Sequence, residues 1–123
     1  MKYLLLFVML LGNQAFGHQF TPAYPKLEPS FVDGVLVTKM ELFNSRNDVE
    51  YYELSVYDGD WNSVPFATES RILNIEYLKR KTIEIYIRET DRSKAVYICS
   101  KSKILPSNEQ ITMVSSRICS KIK

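Results

Sequence analysis

The sequence predicts an all-β domain, an antiparallel β-sandwich of about seven strands. Apolar residues recur with a period of two through most of the chain, as in Thr82-Ile-Glu-Ile-Tyr-Ile-Arg88. Turn-forming clusters separate these runs at roughly eight- to twelve-residue intervals. No window carries a helical apolar stripe, and β-branched and aromatic residues fill the runs instead.

The first element is removable. Lys2 is a short basic n-region, Tyr3 to Leu11 is an apolar h-region, and Ala15-Phe16-Gly17 has the small-x-small form of a cleavage site. Residues 1–17 therefore read as a signal peptide and residues 18–123 as one domain. The apolar run is too short for a transmembrane helix, and nothing later is long or apolar enough. The alternative is an uncleaved amino-terminal anchor. With 46% hydrophobic and 24% charged residues, the composition is that of a chain with a packed core, not of a disordered or fibrous one.

After the leader, Pro22, Pro25 and Pro29 exclude a regular helix or a central strand, so residues 18–29 read as an extended lead-in. Val35 to Phe43 is a strand with Leu36, Thr38, Met40 and Leu42 on one face. Asn44 to Asp48 is a turn cluster. Val49 to Tyr57 is a second strand, with Tyr52, Leu54 and Val56 toward the core. Asp58-Gly59-Asp60 ends it as a turn. Arg71 to Ile75 is a short strand, and Lys79-Arg80-Lys81 turns the chain. Thr82 to Arg88 turns Ile83, Ile85 and Ile87 one way and Thr82, Glu84, Tyr86 and Arg88 the other. Glu89 to Ser93 turns again. Lys94 to Lys101 and Gln110 to Ile122 are the last two strands, around a loop with Pro106.

Charge is divided along the chain. Residues 18–70 hold three basic residues (Lys26, Lys39, Arg46) against nine acidic ones, whereas residues 71–123 hold twelve basic against five acidic. Such a polarised domain can steer a charged partner. Equally, opposite charges on neighbouring strands can offset one another. The near-neutral total gives no reason to expect nucleic acid as a partner.

Catalysis has little to stand on. The one histidine, His18, lies at the expected mature terminus, and no Gly-rich phosphate loop, GxSxG or Cys/His metal spacing occurs. The reading is of no enzyme, no catalytic residue, no metal and no cofactor. The eight tyrosines read first as half-buried sandwich residues and second as a ligand platform.

Cys99 and Cys119 are the only cysteines, and they fall on the last two strands. In an exported chain they predict a disulfide between antiparallel neighbours. It would close a loop of about 21 residues, worth about 3 kcal/mol on a chain-entropy account. Free thiols are the alternative.

Several stretches together resemble a known family. Met40-Glu-Leu-Phe-Asn44 precedes Tyr51-Tyr-Glu-Leu-Ser-Val-Tyr-Asp58. Ile75-Glu-Tyr-Leu-Lys-Arg-Lys-Thr-Ile-Glu-Ile85 is a turn and strand. Asp91-Arg92 precedes Ala95-Val-Tyr-Ile98 and Ile104-Leu-Pro106, and Gln110-Ile-Thr-Met-Val-Ser-Ser-Arg-Ile118 closes the series. In order and spacing these resemble the amino-terminal immunoglobulin-like domain of the periplasmic chaperones of chaperone–usher pili. The resemblance implies an immunoglobulin-like sandwich in the periplasm that binds pilin-like or envelope subunits by strand addition, without entering the membrane. A disulfide joining the last two strands occurs in one branch of that family.

The sequence departs from the family in four places, one of them the replacement of its Pro-Gly turn by Tyr77-Leu78. The second domain that follows the final strand in the family has no counterpart before Lys123. The lysine with which the family holds its client's terminal carboxylate falls on Cys119, and no arginine matches its companion; Lys26 and Arg117 are the nearby cations. Gln110, Thr112 and Val114 fall on the family's row of large apolar residues, with Ile111 and Met113 on the opposite face. Partner-binding candidates are therefore Ile111, Met113, Val114, Arg117 and Lys26 on or near the last strand, whose first half could equally pack inside the domain. Alternative functions are a stand-alone immunoglobulin-like structural or adaptor subunit of an envelope assembly, or a secreted domain binding a ligand through exposed tyrosines.

Mass spectrometry of the exported protein is expected to find His18, or a residue within a few positions of it, as the new amino terminus. Retention of Met1 on a membrane-bound product would refute the leader reading.

Overall fold

The computed structural model describes residues 17–103 and 115–123. Most of the expected leader, Ile104-Leu-Pro106 and the partner-binding candidates Ile111, Met113 and Val114 lie outside the described residues.

Alternation is clear in three strands, whereas Ile98, Cys99 and Ser100 in the penultimate strand are buried in succession. β3 (Val35–Asn44) buries Leu36, Thr38, Met40 and Leu42 while its odd-numbered residues stay more open. β4 (Tyr51–Tyr57) buries Tyr52, Leu54 and Val56. β6 (Arg80–Arg88) buries Ile83, Ile85 and Ile87. Each such isoleucine stabilises the fold by roughly 2 kcal/mol through its removal from water. Between these elements, the lead-in forms β1 (His18–Thr21) and β2 (Glu28–Pro29), and β5 (Ile72–Asn74) precedes β6. A 3₁₀ turn at Glu89–Asp91 leads to β7 (Tyr97–Lys103), and β8 (Arg117–Lys121) is the last strand.

Two antiparallel sheets result. In one, β3 pairs with β6 on one side and with β1 and β2 on the other; in the second, the order is β5-β4-β7-β8. The core between them is one cluster drawn from both sheets. This is an immunoglobulin-like β-sandwich.

Four details differ from the sequence expectation. The lead-in is not merely extended: its residues divide into two short edge strands, giving eight strand segments among the described residues. Pro29 suits β2 to an edge, where a missing N–H costs no ladder bond, and Pro22 follows the end of β1. Arg80 and Lys81 already belong to β6; the turn before them runs from Glu76 to Lys79, where Lys79 N–H donates to Glu76 C=O and Leu78 takes a left-handed φ of 61°. The penultimate strand begins at Tyr97 and continues to Lys103, later than the expected span, because Asp91 C=O accepts from Lys94 and Ala95 N–H and holds that stretch as a turn. Among the described residues the last strand runs from Arg117 to Lys121, and Ser115, Ser116 and Ile122 stand outside it.

The two charge halves meet across strands. Arg80 on β6 lies 3.2 Å from Glu41 on β3, and Lys103 on β7 lies 2.6 Å from Glu53 on β4. Lys39 and Glu84 stand opposite each other in the β3–β6 register.

Asn44, at the end of β3, is fully buried. Its Nδ2 donates to Val49 C=O at 2.7 Å and to Ile75 C=O at 2.8 Å. Its Oδ1 accepts from Arg46 N–H and from the Tyr52 hydroxyl. No other side chain of this size satisfies two carbonyls and two donors at once. Asn44→Ala is expected to cost about 3 kcal/mol or more in urea unfolding, because those partners stay buried and unpaired. Asn47→Ala, at an exposed neighbour, is expected to stay within about 0.5 kcal/mol of the parent.

Candidate functional site

β8 is the edge of its sheet, and its backbone groups point alternately toward β7 and away from it. Ile122 N–H donates inward to Val96 C=O, whereas Lys121 and Lys123 N–H donate outward to Ala23 and Pro25 C=O, each at 2.9 Å. The lead-in thus crosses from the first sheet after β1, borders the end of β8, and returns to β3 as β2. Arg117 and Cys119 share the outward direction of Lys121. Among the described residues no backbone group pairs with their outward N–H and C=O. Among the described residues, the open part of the edge is therefore the first half of β8.

The two faces of β8 differ. Ser120 is buried and Ile118 packs against the core. Arg117, Cys119 and Lys121 lie on the opposite, outward face. Cys119 stands directly opposite Cys99 in the β7–β8 register, with Cα atoms 4.1 Å apart, and the two form the expected disulfide. The Arg117 side chain extends back across β7. Its Nη2 is 4.0 Å from Cys99 Sγ, and its guanidinium lies over the rings of Tyr57 at 5.0 Å and Trp61 at 4.9 Å. Trp61 in turn stacks parallel on Tyr97, with ring centroids 4.4 Å apart. The disulfide is thus roofed by a guanidinium and flanked by aromatic rings.

Of the candidates read from the sequence, the structure describes Arg117, Lys26 and the cysteines. Lys26 is exposed and follows Pro25, beside the carboxyl-terminal end of β8. Arg117 opens that strand, roughly 20 Å away by strand rise. The two cations do not share a site.

The inner side of the same sheet, at the entry of β8, holds a polar cluster that sequence reasoning passed over. His18, only 5% exposed, has Nε2 2.8 Å from Ser100 Oγ and Nδ1 2.9 Å from Ser116 Oγ. Its ring packs on Tyr52 at 4.7 Å. Arg46, held by Asp48 through two hydrogen bonds, reaches the same Ser116 hydroxyl at 3.4 Å. His18 thereby ties β1 of one sheet to β7 and to the entry of β8 in the other. A signal was available: in His18-Gln-Phe-Thr21, His18 alternates with Gln19 and lies in phase with buried Phe20. A histidine and a serine this close suggest nucleophilic chemistry. Here both ring nitrogens are bound to serine hydroxyls, so no carboxylate orients the ring as a base.

Burial is the largest cause lowering the His18 pKa to about 4; hydrogen bonding at Ser100 opposes it and Arg46 reinforces it. Burial likewise pushes the Tyr52 hydroxyl up to about 12. At neutral pH the imidazole is uncharged.

No family model matches the sequence, and no curated protein matches it. Among solved structures, the crystal structure of the E. coli chaperone DraB is similar in fold, with a TM-score of 0.64 at 15% sequence identity. The match covers 87% of this chain and 53% of that one, so this chain spans about half the length of that chaperone.

The depressed His18 pKa sets a pH window. The unfolded state takes up the proton near pH 6.5, whereas the folded state resists it until about pH 4. The His18 contribution is therefore complete above pH 6.5 and is lost as pH falls toward 4. It amounts to about 3 kcal/mol. Urea unfolding at closely spaced pH values is expected to show this component in the parent and not in His18→Asn. Parallel curves for the two proteins would refute it.

Proposed function

We propose that this domain is a chaperone-like binding module that receives an extended segment of a partner polypeptide by strand addition along β8. The observation that carries this reading is the open edge at Arg117 and Cys119. A strand laid there satisfies their outward N–H and C=O groups and extends the sheet. The likeness in fold to a chaperone supports the same reading. Affinity would come from the backbone ladder, and specificity from side chains along the segment that includes Ile111, Met113 and Val114. The partner would be a pilin-like or other envelope subunit.

Export to the periplasm fits the leader-like amino terminus and the disulfide, a bond that persists in oxidising compartments. A binding role, not a catalytic one, fits the only histidine, whose two nitrogens are held by serines in the interior.

A second reading, a structural or adaptor subunit of an envelope assembly, draws on one observation. The Arg117 guanidinium is directed over Tyr57 and Trp61, away from the edge where it would meet a partner's terminal carboxylate. Such a subunit would be held through other surfaces.

Met113→Lys separates the two readings. As a chaperone-like module, the variant is expected to keep its melting temperature within a few degrees and to lose capture of envelope proteins in a periplasmic pull-down. Undiminished capture by the folded variant would favour the adaptor reading. Unfolding of the variant, from burying a charge, would mean that this stretch packs within the domain's own core.

A further inference from the structure

We infer that two copies of this chain associate through the β3–β6 sheet, the Phe31 side chain of each entering an apolar groove beside Arg88 on the other. The inference makes no use of β8 and stands or falls apart from the reading of that edge.

The turn between β2 and β3 presents apolar side chains to solvent. Phe31 is wholly exposed and Val32 mostly so. The backbone beneath them is fixed. Ser30 N–H donates to Val35 C=O at 3.0 Å, and Val35 N–H donates to Val32 C=O at 3.2 Å. The Ser30 hydroxyl donates to Val35 C=O at 2.6 Å and accepts from Val32 N–H at 3.2 Å. Gly34 supplies the left-handed step with φ 80°, and its C=O accepts from Glu89 N–H at 2.8 Å. A phenyl ring is thus held in water on an ordered turn, although the fold draws no packing from it. A knob fixed in this way has little backbone freedom left to lose on docking.

Beside the knob lies a hole. Val35, which closes the turn, lines a groove of about 310 Å³ together with Pro65, Phe66, Ala67, Tyr86 and Arg88. Val35 stands opposite Arg88 in the β3–β6 register, and Ala67 exchanges backbone hydrogen bonds with Tyr86 at 2.9 and 2.8 Å. Apolar side chains make up most of the lining, as in a pocket that takes an apolar group. Phe31 of the same chain does not fill it, since that side chain is wholly exposed.

A knob and a hole side by side on one surface are what a two-fold interface needs. Rotation about an axis between them puts each knob into the hole of the other copy. Charge selects the same occupant. Asp33 is exposed on the turn, two residues after Phe31, and would travel with it to the rim of the partner groove. Arg88 stands at that rim with its side chain 63% exposed. Asp91 accepts from its Nε and Nη2, each at 2.8 Å, and so holds the guanidinium in place. Its Nη1 has no partner among the described residues and is left to meet Asp33 of the second copy. The same aspartate disfavours an anionic lipid surface as the occupant. Two aromatic knobs and their rims cover less than the roughly 800 Å² per partner of a standard interface, so the dimer is a weak one, with Kd on the order of 100 μM.

The test is sedimentation equilibrium of the exported protein from about 5 μM to about 1 mM. A monomer–dimer equilibrium is expected. Phe31→Ser, at a side chain without contacts in the fold, is expected to keep the melting temperature and to weaken dimerisation about a hundredfold, because two knobs are lost at once. Asp33→Arg and Arg88→Asp are each expected to be monomeric alone, since like charges then meet at both contacts. Mixed together they are expected to dimerise, because each contact now joins opposite charges. A monomer at every concentration would overturn the inference, whether or not Phe31→Ser then reduces capture of envelope proteins. So would a dimer that Phe31→Ser leaves unchanged, or two folded charge variants that fail to pair when mixed. Should Arg88→Asp not fold for want of its bond to Asp91, the Phe31→Ser result decides by itself.

Discussion

The primary amide of Asn44 is the point on which one end of the molecule is assembled. It closes the β3 strand, takes the carbonyl before β4 and the carbonyl after β5, and accepts the hydroxyl of Tyr52 from the opposing sheet. Because Tyr52 is held there, His18 has a ring to pack on. Because His18 is held, Ser100 and Ser116 have a common partner across the gap between sheets. The entry of β8 is thereby positioned from within the core. Buried polar groups of this kind are costly when incomplete and selective when satisfied, since few alternative packings satisfy all of them. The apolar core supplies most of the driving force for the sandwich, and this cluster selects which sandwich forms.

The edge strand draws its position from three sources of different chemical kind. Along one flank it has the ladder to β7 and the covalent bond between Cys99 and Cys119. At its carboxyl-terminal end it is bordered by Ala23 and Pro25. At its start it is linked to the polar cluster through Ser116 N–H, which donates to Ser102 Oγ at 2.8 Å, and through the Ser116 hydroxyl. Among the described residues, the stretch of β8 between these supports without an outward backbone partner is short, so the strand is held along most of its length.

The strands that face the core were legible because period two is a strong signal when apolar and polar residues truly alternate. Ile83, Ile85 and Ile87 are the clearest instance, and the buried faces of β3 and β4 were read residue for residue. The cysteine pairing was legible because both strands carrying it were. Boundaries were harder. Lys79-Arg80-Lys81 reads as a turn by charge, yet the backbone reverses one step earlier, at Leu78, a residue with no compositional mark of a left-handed conformation. The proline-rich lead-in concealed two strands, since proline forbids a central strand and says nothing about an edge. His18 was read by position in the chain, when its phase with Phe20 would have sent it inward. Arg117 was legible as a cation near the edge. Its direction was not, because Tyr57 and Trp61 come from the end of β4 and the turn after it, about sixty residues away in sequence, and their convergence near the disulfide follows only from the β4–β7–β8 register.

Trp61 is the only tryptophan in the chain, although it is 49% exposed. One ring face is taken by Tyr97, the Arg117 guanidinium lies over the indole, and its own backbone is in the left-handed region with φ 65°. An indole fixed in so asymmetric a setting is optically active, and at the long-wavelength edge of the near-ultraviolet it absorbs without interference from tyrosine. The chain therefore carries one chromophore whose dichroism reads the packing of β4, β7 and β8 at a single spot. Loss of that band with retention of the far-ultraviolet sheet signal would mark loosening of this face while the backbone ladders persist.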